Sequence, residues 1–322
     1  MTWPITYADV LAARARLAPH LPPTPLRHYA ELDAAVGHGI RVLVKHENHQ
    51  PTNAFKARNA MAFMTALPAD QRARGVIAAT RGNHGAGLAW AGATLGARVT
   101  ICVPLGNNPE KNAAIRGHGA ELVEAGADYD GAVEVAHRLA HERGLAIAHS
   151  TNDAQVIAGA ATLTVELLEQ AGPGLDAIVV AVGGGSQAVG ALVAARTLAP
   201  TVPIYGVQAA NASAIHDSWH ARTRLTTATA ATIADGLATR STYDLTWEPL
   251  RDGLADFVVV SEDALAAAIR TLLQTTHNLA EAAGAAGLAG AIALADRLAG
   301  KTVAVILSGS NIDTPTLRRV LA

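Results

Sequence analysis

Cysteine occurs once in these 322 residues, at Cys102 inside the apolar run VTICVP. One thiol cannot form an internal disulfide, and the paired spacings of thiol redox or zinc sites are missing. The expectation is a reducing compartment, with Cys102 in the core. Charge of one sign is also lacking. The formal net charge is -2 and the isoelectric point about 6.7. Acidic and basic residues are interspersed without a long run, so no electrostatic footprint for a nucleic-acid partner appears. Long apolar stretches are confined to Ala/Gly-rich segments such as EAAGAAGLAGAIALADRLAG, which Glu281 and Asp296 bracket and which reads as a buried helix. Asp9, Arg14 and Arg16 interrupt the N-terminus where a secretory signal would be apolar. These absences point to a cytoplasmic protein with no membrane partner. Internal repeats, low-complexity blocks and long linkers are missing too.

What is present is a regular alternation. With 50% hydrophobic and 16% charged residues, the chain can bury a large core in one or two domains. Short β-branched runs alternate with Ala-rich helical stretches. GVIAAT (75–80) precedes NHGAGLAWAGATLG, RVTICVP (98–104) precedes NPEKNAAIRGHG, and DAIVVAVGGG (176–185) precedes SQAVGALVAARTLAP. AELVEA, VPIYGVQ, DFVVV and KTVAVILSGSN continue the series. Continuous apolar strands are buried on both faces, so a doubly wound α/β fold is expected, with two parallel sheets. Segment 218–249 has weak periodicity and reads as loop-rich. Ligands of such folds sit beyond the carboxyl ends of the strands. That places TRGNHG (80–85), VGGGSQ (182–187), QAANAS (208–213) and SGSN (308–311) on one rim.

VGGGSQ follows a strand and opens a helix. Glycine backbone N–H groups and the helix start favour a phosphate there, although a plain tight turn explains the same residues. No Lys-Ser/Thr follows it, so it is not a Walker loop. Lys56, in PTNAFKARN, is either a surface lysine at a helix start or the carrier of a phosphorylated aldehyde. Lysine forms a Schiff base with pyridoxal phosphate, whose ring accepts carbanion electrons. On that reading Phe55 packs on the ring, Asn83 reaches the ring hydroxyl and Ser308 lies at its distal end.

PTNAFKARNA, ATRGNHGAGLAWAGATLGARVTICVP, NPEKNAAIRGHGAELV, VGGGSQ, IADGLA, EAAGAAGLAG and LSGSN occur in one order. In that order the chain resembles the threonine dehydratase and serine racemase group of fold-type II pyridoxal-phosphate enzymes, from about residue 22 to the C-terminus. The resemblance implies a tryptophan synthase β-like architecture of two doubly wound parallel-sheet domains. Residues 1–50 and 151–322 would form the large cofactor-binding domain and 51–150 the small one. It implies that Lys56 carries the cofactor, that Phe55 borders the ring, and that Asn83 meets the phenolic oxygen. Gly183, Gly184, Gly185, Ser186 and Gln187 would cup the phosphate, and Ser308 would meet the pyridine nitrogen. The substrate carboxylate would bind the loop Thr80, Arg81, Gly82, Asn83 and His84; His84 is equally readable as a structural histidine. A homodimer and an amino-acid substrate are implied as well.

The chain departs from the group at several points. Racemases of the group have a serine before Gly-Asn-His; here the residue is Arg81, whose guanidinium is a poor proton shuttle. It reads as a salt-bridging residue or as a contact to an acidic or hydroxylated substrate side chain. Gln208 and Ala214 stand where relatives place carboxylates for a divalent cation, so no tight divalent metal is expected; a monovalent cation on backbone carbonyls stays open. Asn53 and Ala54 stand where Thr-Gly-Ser is common in the group; Asn53 either hydrogen-bonds the substrate or holds the left-handed turn that glycine would adopt. Glu281 is a further pocket candidate. The expected activity is dehydration of serine, threonine or a specialised β-hydroxy amino acid such as 3-hydroxyaspartate, by an ammonia-lyase. The alternatives are serine or aspartate racemisation, thiol β-replacement, and non-catalytic phosphate binding. No appended C-terminal regulatory module is expected after TLRRVLA.

Overall fold

A computed structural model describes residues 2–322. Its ten strands are β1 (Leu26–His28), β2 (Arg41–His46), β3 (Val76–Ala79), β4 (Val99–Val103), β5 (Glu121–Glu124), β6 (Ala146–Ile147), β7 (Ala177–Ala181), β8 (Ile204–Ala209), β9 (Asp256–Val260) and β10 (Thr302–Leu307). They form a six-stranded sheet, β1-β2-β10-β7-β8-β9, and a four-stranded sheet, β5-β4-β3-β6. All neighbours pair in parallel except β1 with β2. The apolar strands justify this layout. Every residue of β7 and β4 is buried, as expected where helices cover both faces.

The Lys56–Ala66 helix is wedged between the Asn83–Leu95 and Ala154–Ala171 helices. Two glycines permit the approach. A Cβ on Gly87 would lie 2.8 Å from the Lys56 carbonyl oxygen, and one on Gly159 would lie 2.6 Å from that of Arg58. Larger residues would push the lysine-bearing helix away. The same helix is pinned electrostatically. Arg58, 1% exposed, donates to Glu47 Oε2 at 2.8 Å and to both oxygens of Glu166 at 2.7 Å. Lys45 Nζ donates to Glu166 Oε2 at 3.0 Å. Burial works against the Arg58 charge, but the Glu47 and Glu166 carboxylates outweigh it and hold the guanidinium above its ordinary pKa. Two cations and two carboxylates balance in the interior, the arrangement that buried ions require.

Segment 218–249 is irregular through most of its length, but helices close both ends. The Ala214–Ala221 helix runs into it, and the Asp244–Gly253 helix, with Pro249 inside, closes it. Only a short turn, Asp235–Leu237, interrupts the stretch between them. Cys102 is fully buried and unpaired. Among the described residues, no helix is long and apolar enough to cross a membrane.

Candidate active site

The loops following β3, β7 and β10 converge with the start of the Lys56–Ala66 helix on a cavity of about 720 Å³. It is lined by Phe55 and Lys56, by Thr80, Arg81, Gly82, Asn83 and His84, by Gly183 to Gln187, and by Ser308. The fold therefore brings together the residues that the resemblance assigns to cofactor and substrate carboxylate.

Local backbone geometry fixes the lysine. Asn53 adopts φ 54°, the left-handed turn expected of it. The next residues are stitched to the end of β10. Ala54 bridges Gly309, Phe55 N–H donates to the Ser308 carbonyl at 2.9 Å, and Ser310 N–H donates to that of Asn53 at 2.9 Å. Lys56 and Ser308 are thus held in one register from opposite ends of the sequence. The Lys56 ammonium donates to the Ser150 carbonyl at 2.8 Å and lies 5.0 Å from the centre of the Phe55 ring. Burial pushes its pKa down from 10.5 to about 8, because the desolvated ammonium loses hydration that one carbonyl and no carboxylate partner only partly replace.

The triple-glycine turn cannot be built from other residues. A Cβ on Gly183 would strike the Gly236 carbonyl, one on Gly184 would strike the Thr151 side chain, and Gly185 has φ 103°. Thr246 Oγ1 donates to the Gly184 carbonyl at 2.9 Å and sets the turn. The Ser186–Leu198 helix begins here, and the N–H groups of its first turn have no intrahelical acceptor. Gln187 is 4% exposed, and its side-chain N–H₂ has no partner. An open turn of N–H donors beside a buried, unpaired amide donor has the donor set that suits an anion.

The Thr80–His84 loop starts the Asn83–Leu95 helix. Gly82 N–H donates to Thr80 Oγ1 at 3.2 Å. Asn83 Nδ2 donates to Glu281 Oε1 at 2.5 Å, and Asn83 Oδ1 accepts from Asn311 Nδ2 at 2.8 Å. Burial raises the Glu281 carboxyl to about 7, against the pull of Lys111. The His84 ring bonds the Ala148 carbonyl through Nε2 at 3.0 Å. Burial, and then the charge of Lys56, lowers its pKa to about 3, so the ring is neutral. Its Nδ1 is a buried atom without a partner. Arg81 is exposed on the rim, and no carboxylate of the described residues pairs with it. Ser308 is buried, and its hydroxyl donates weakly to the Ala283 carbonyl at 3.4 Å.

Two features of the site escape a sequence reading. Asn311 stands in the SGSN motif, yet its bonds to Asn83 and to the Thr52 carbonyl (2.8 Å) cross more than 200 positions. Tyr129, at the start of the Tyr129–Arg143 helix, joins Tyr243 and residues 226–230 and 235–241, from a segment without periodicity, in the outer wall. The ion pairs Lys111–Asp235 and Arg240–Asp130 tie that stretch to helices packed on the four-stranded sheet. Away from the cavity, Gln208 is fully buried, and its Oε1 accepts the His216 N–H at 3.0 Å. Ala214 opens the next helix. Among the described residues, no three His, Cys, Asp or Glu side chains gather as a metal site.

The family model for "Pyridoxal-phosphate dependent enzyme" matches residues 17–309. The chain belongs to that family. Its fold is that of the fold-type II pyridoxal-phosphate enzymes, and maize serine racemase superposes with a TM-score of 0.93 at 30% identity, covering 99% of this chain and 97% of that one. The threonine deaminase of T.th. superposes with a TM-score of 0.90 at 36% identity, covering 96% of this chain and 99% of that one. Among sequence relatives, the L-threonine ammonia-lyase of Geobacter sulfurreducens is 37% identical over 98% of this chain and 78% of its own length. The L-threo-3-hydroxyaspartate ammonia-lyase of Saccharomyces cerevisiae is 33% identical over 96% of this chain and 94% of its own length. The chain spans 56% of the length of the biosynthetic L-threonine dehydratase of Burkholderia multivorans, to which it is 36% identical over 87% of its own length. Pyridoxal phosphate is the cofactor of the family, and the cavity fits it. The glycine turn and the unpaired Gln187 amide suit its phosphate, and the Lys56 amine suits its aldehyde.

Proposed function

We propose that this pyridoxal-phosphate enzyme removes water from a β-hydroxy amino acid of the serine/threonine type, yielding a 2-oxo acid and ammonia. One observation carries the reading. The Lys56 amine, shifted toward neutrality by burial, shares a single cavity with an anion-binding turn and a second helix start.

Pyridoxal phosphate, when bound, supplies an electron-accepting ring that stabilises negative charge at the substrate Cα. The chain's own part is placement and proton transfer. Gly183 to Gln187 would hold the phosphate, Phe55 would border the ring, and the Ser308 hydroxyl would meet the ring nitrogen. Asn83, held by Glu281 and Asn311, would face the phenolic oxygen. Backbone N–H groups at the start of the Asn83–Leu95 helix, with Thr80 and Gly82, receive the substrate carboxylate. His84 contributes main chain there, since its ring is committed to Ala148. The unprotonated amine of Lys56 takes the Cα proton. The β-hydroxyl departs as water, and hydrolysis of the unsaturated amine that remains gives the 2-oxo acid and ammonia.

Racemisation is the second reading, favoured by the likeness to maize serine racemase. It needs an acid opposite Lys56, and the side chain before Gly82 is Arg81, whose guanidinium is a poor proton shuttle. Elimination has no such requirement. An assay for ammonia and 2-oxo acid from serine, threonine and 3-hydroxyaspartate tests the proposal. Turnover that disappears in Lys56→Ala supports it, and inversion of configuration without 2-oxo acid overturns it.

We also infer two domains, 1–50 with 151–322 around the six-stranded sheet and 51–150 around the four-stranded one. A homodimer rests on the family resemblance, and a cytoplasmic location on the lone, buried Cys102. Sedimentation of the purified chain tests the first, and fractionation of the source cells the second.

A further inference from the structure

Four cationic side chains line the cavity: Lys56, Arg81, Lys111 and Arg240. Three have partners. Lys111 pairs with Asp235, Arg240 with Asp130, and Lys56 bonds the Ser150 carbonyl. Arg81 alone has neither a carboxylate nor a hydrogen-bond acceptor for its guanidinium among the described residues. The one side chain that bonds it does so at its backbone carbonyl, which accepts from Asn107 Nδ2 at 3.3 Å. The guanidinium stands in the same electrostatic field as the Tyr129 phenol, whose acidity it favours against burial.

The outer wall of the same cavity is polar, and the carboxylates that line the cavity are engaged elsewhere: Asp130 and Asp235 pair with Arg240 and Lys111, Asp128 caps the Tyr129–Arg143 helix, and Glu281 accepts from Asn83. Tyr129, Tyr243, Thr227, Thr239 and Ser241 line the outer cavity, whereas its large aliphatic or phenyl side chains number two, Phe55 and Leu237. A pocket built for the methyl group of threonine or for an aromatic β-substituent would present apolar surface there. A hydroxyl-rich wall beside an unmatched guanidinium, whose planar fork suits a carboxylate, presents the complement of an anion. The other two anion positions are already assigned, to the cofactor phosphate at Gly183–Gln187 and to the substrate α-carboxylate at the start of the Asn83–Leu95 helix.

We propose that Arg81 is the specificity-determining residue of this site and that the substrate is a β-hydroxy amino acid carrying a second carboxylate, of the 3-hydroxyaspartate type. The proposal rests on the dehydratase reading above. The Cα–H and Cβ–O bonds break, one carbon–carbon π bond forms, and water leaves. Tautomerisation and hydrolysis then consume one water and give a 2-oxo dicarboxylic acid and ammonia.

The test compares kcat/KM for 3-hydroxyaspartate and for threonine in the wild-type holoenzyme, Arg81→Gln and Arg81→Lys. The wild type is expected to favour the dicarboxylic substrate. Loss of one charge-assisted contact lowers that preference by about ten- to a hundredfold in R81Q, and R81K recovers part of it. A preference that moves less than about twofold in R81Q, or a wild type that prefers threonine, overturns the proposal. Succinate binding to the holoenzyme, followed by calorimetry, separates this failure from failure of the dehydratase reading. Binding that weakens in R81Q supports the carboxylate contact even if no hydroxy amino acid turns over. Equal binding in both proteins overturns it. Arg81 is exposed, so the melting temperature of R81Q is expected to match the wild type and to exclude misfolding.

Discussion

Stripping the cofactor from the enzyme and returning it across a pH series reads the Lys56 amine directly. Attachment to an aldehyde needs the unprotonated amine. A lysine at its ordinary pKa of 10.5 is almost wholly charged at pH 7, whereas one lowered to about 8 by burial is partly neutral. Each step of one pH unit is tenfold, so the gap corresponds to roughly 300-fold more reactive amine at pH 7. The sign follows from the direction of the shift. The apoprotein's attachment rate climbs about tenfold per pH unit up to about pH 8, then levels off as the amine becomes neutral. The visible absorbance band of the bound cofactor, followed by stopped flow between pH 6 and 10, gives this profile. Nα-acetyl-lysine, run in parallel, corrects for the titration of pyridoxal phosphate itself and is expected to keep rising past pH 10. An apoprotein profile that climbs to pH 10 alongside the free amine refutes the claim that burial activates Lys56.

Three further outcomes follow from the same geometry. The buried Glu281 carboxyl is raised from 4.5 to about 7, so its contribution to stability is full below pH 4.5 and lost as pH rises through about 7. Thermal melts should therefore show Glu281→Gln gaining on the wild type by a few degrees between pH 5 and pH 8; a gap that stays constant counts against a neutral carboxyl. Arg58→Met leaves Glu47 and Glu166 buried with one cation, Lys45, between them, and is expected to cost about 3–5 kcal/mol in urea denaturation. A loss below about 1 kcal/mol, the scale of a surface pair, would mean that water reaches the cluster. Gly183→Ala drives a Cβ into the Gly236 carbonyl, whereas nothing lies within 4 Å of a Cβ on Gly117. Equilibrium titration should show cofactor affinity falling by about one order of magnitude or more in G183A, the scale of one charge-assisted hydrogen bond, and holding in G117A.

The parts of the site that were legible in the sequence are those whose chemistry is local. The glycine turn after β7 and the helix start after β3 each announce themselves within six residues, because strand, turn and helix follow directly. Lys56 carries no such local signal of its own; it gains meaning from the other motifs. What could not be read depends on residues that meet only after folding. Glu281 lies 198 positions from Asn83 and Asn311 lies 228 from it, yet both hold the same amide. Glu166 looks like an ordinary charge on an amphipathic helix until that helix packs on Arg58. The outer wall is hidden for a different reason. Residues 226–241 are rich in threonine and lack any period, and Pro249 obscures the helix that closes the segment. Their side chains matter through position on a cavity rim, which no periodic pattern encodes.

Peptide mapping of the borohydride-reduced holoenzyme tests the central claim most directly. The chain has four lysines, Lys45, Lys56, Lys111 and Lys301, and two of them, Lys45 and Lys111, are already paired with carboxylates. The account predicts one cofactor increment, on the peptide that carries Lys56, and a colourless protein without it in Lys56→Ala. An increment on another lysine, or none under saturating pyridoxal phosphate, would contradict it.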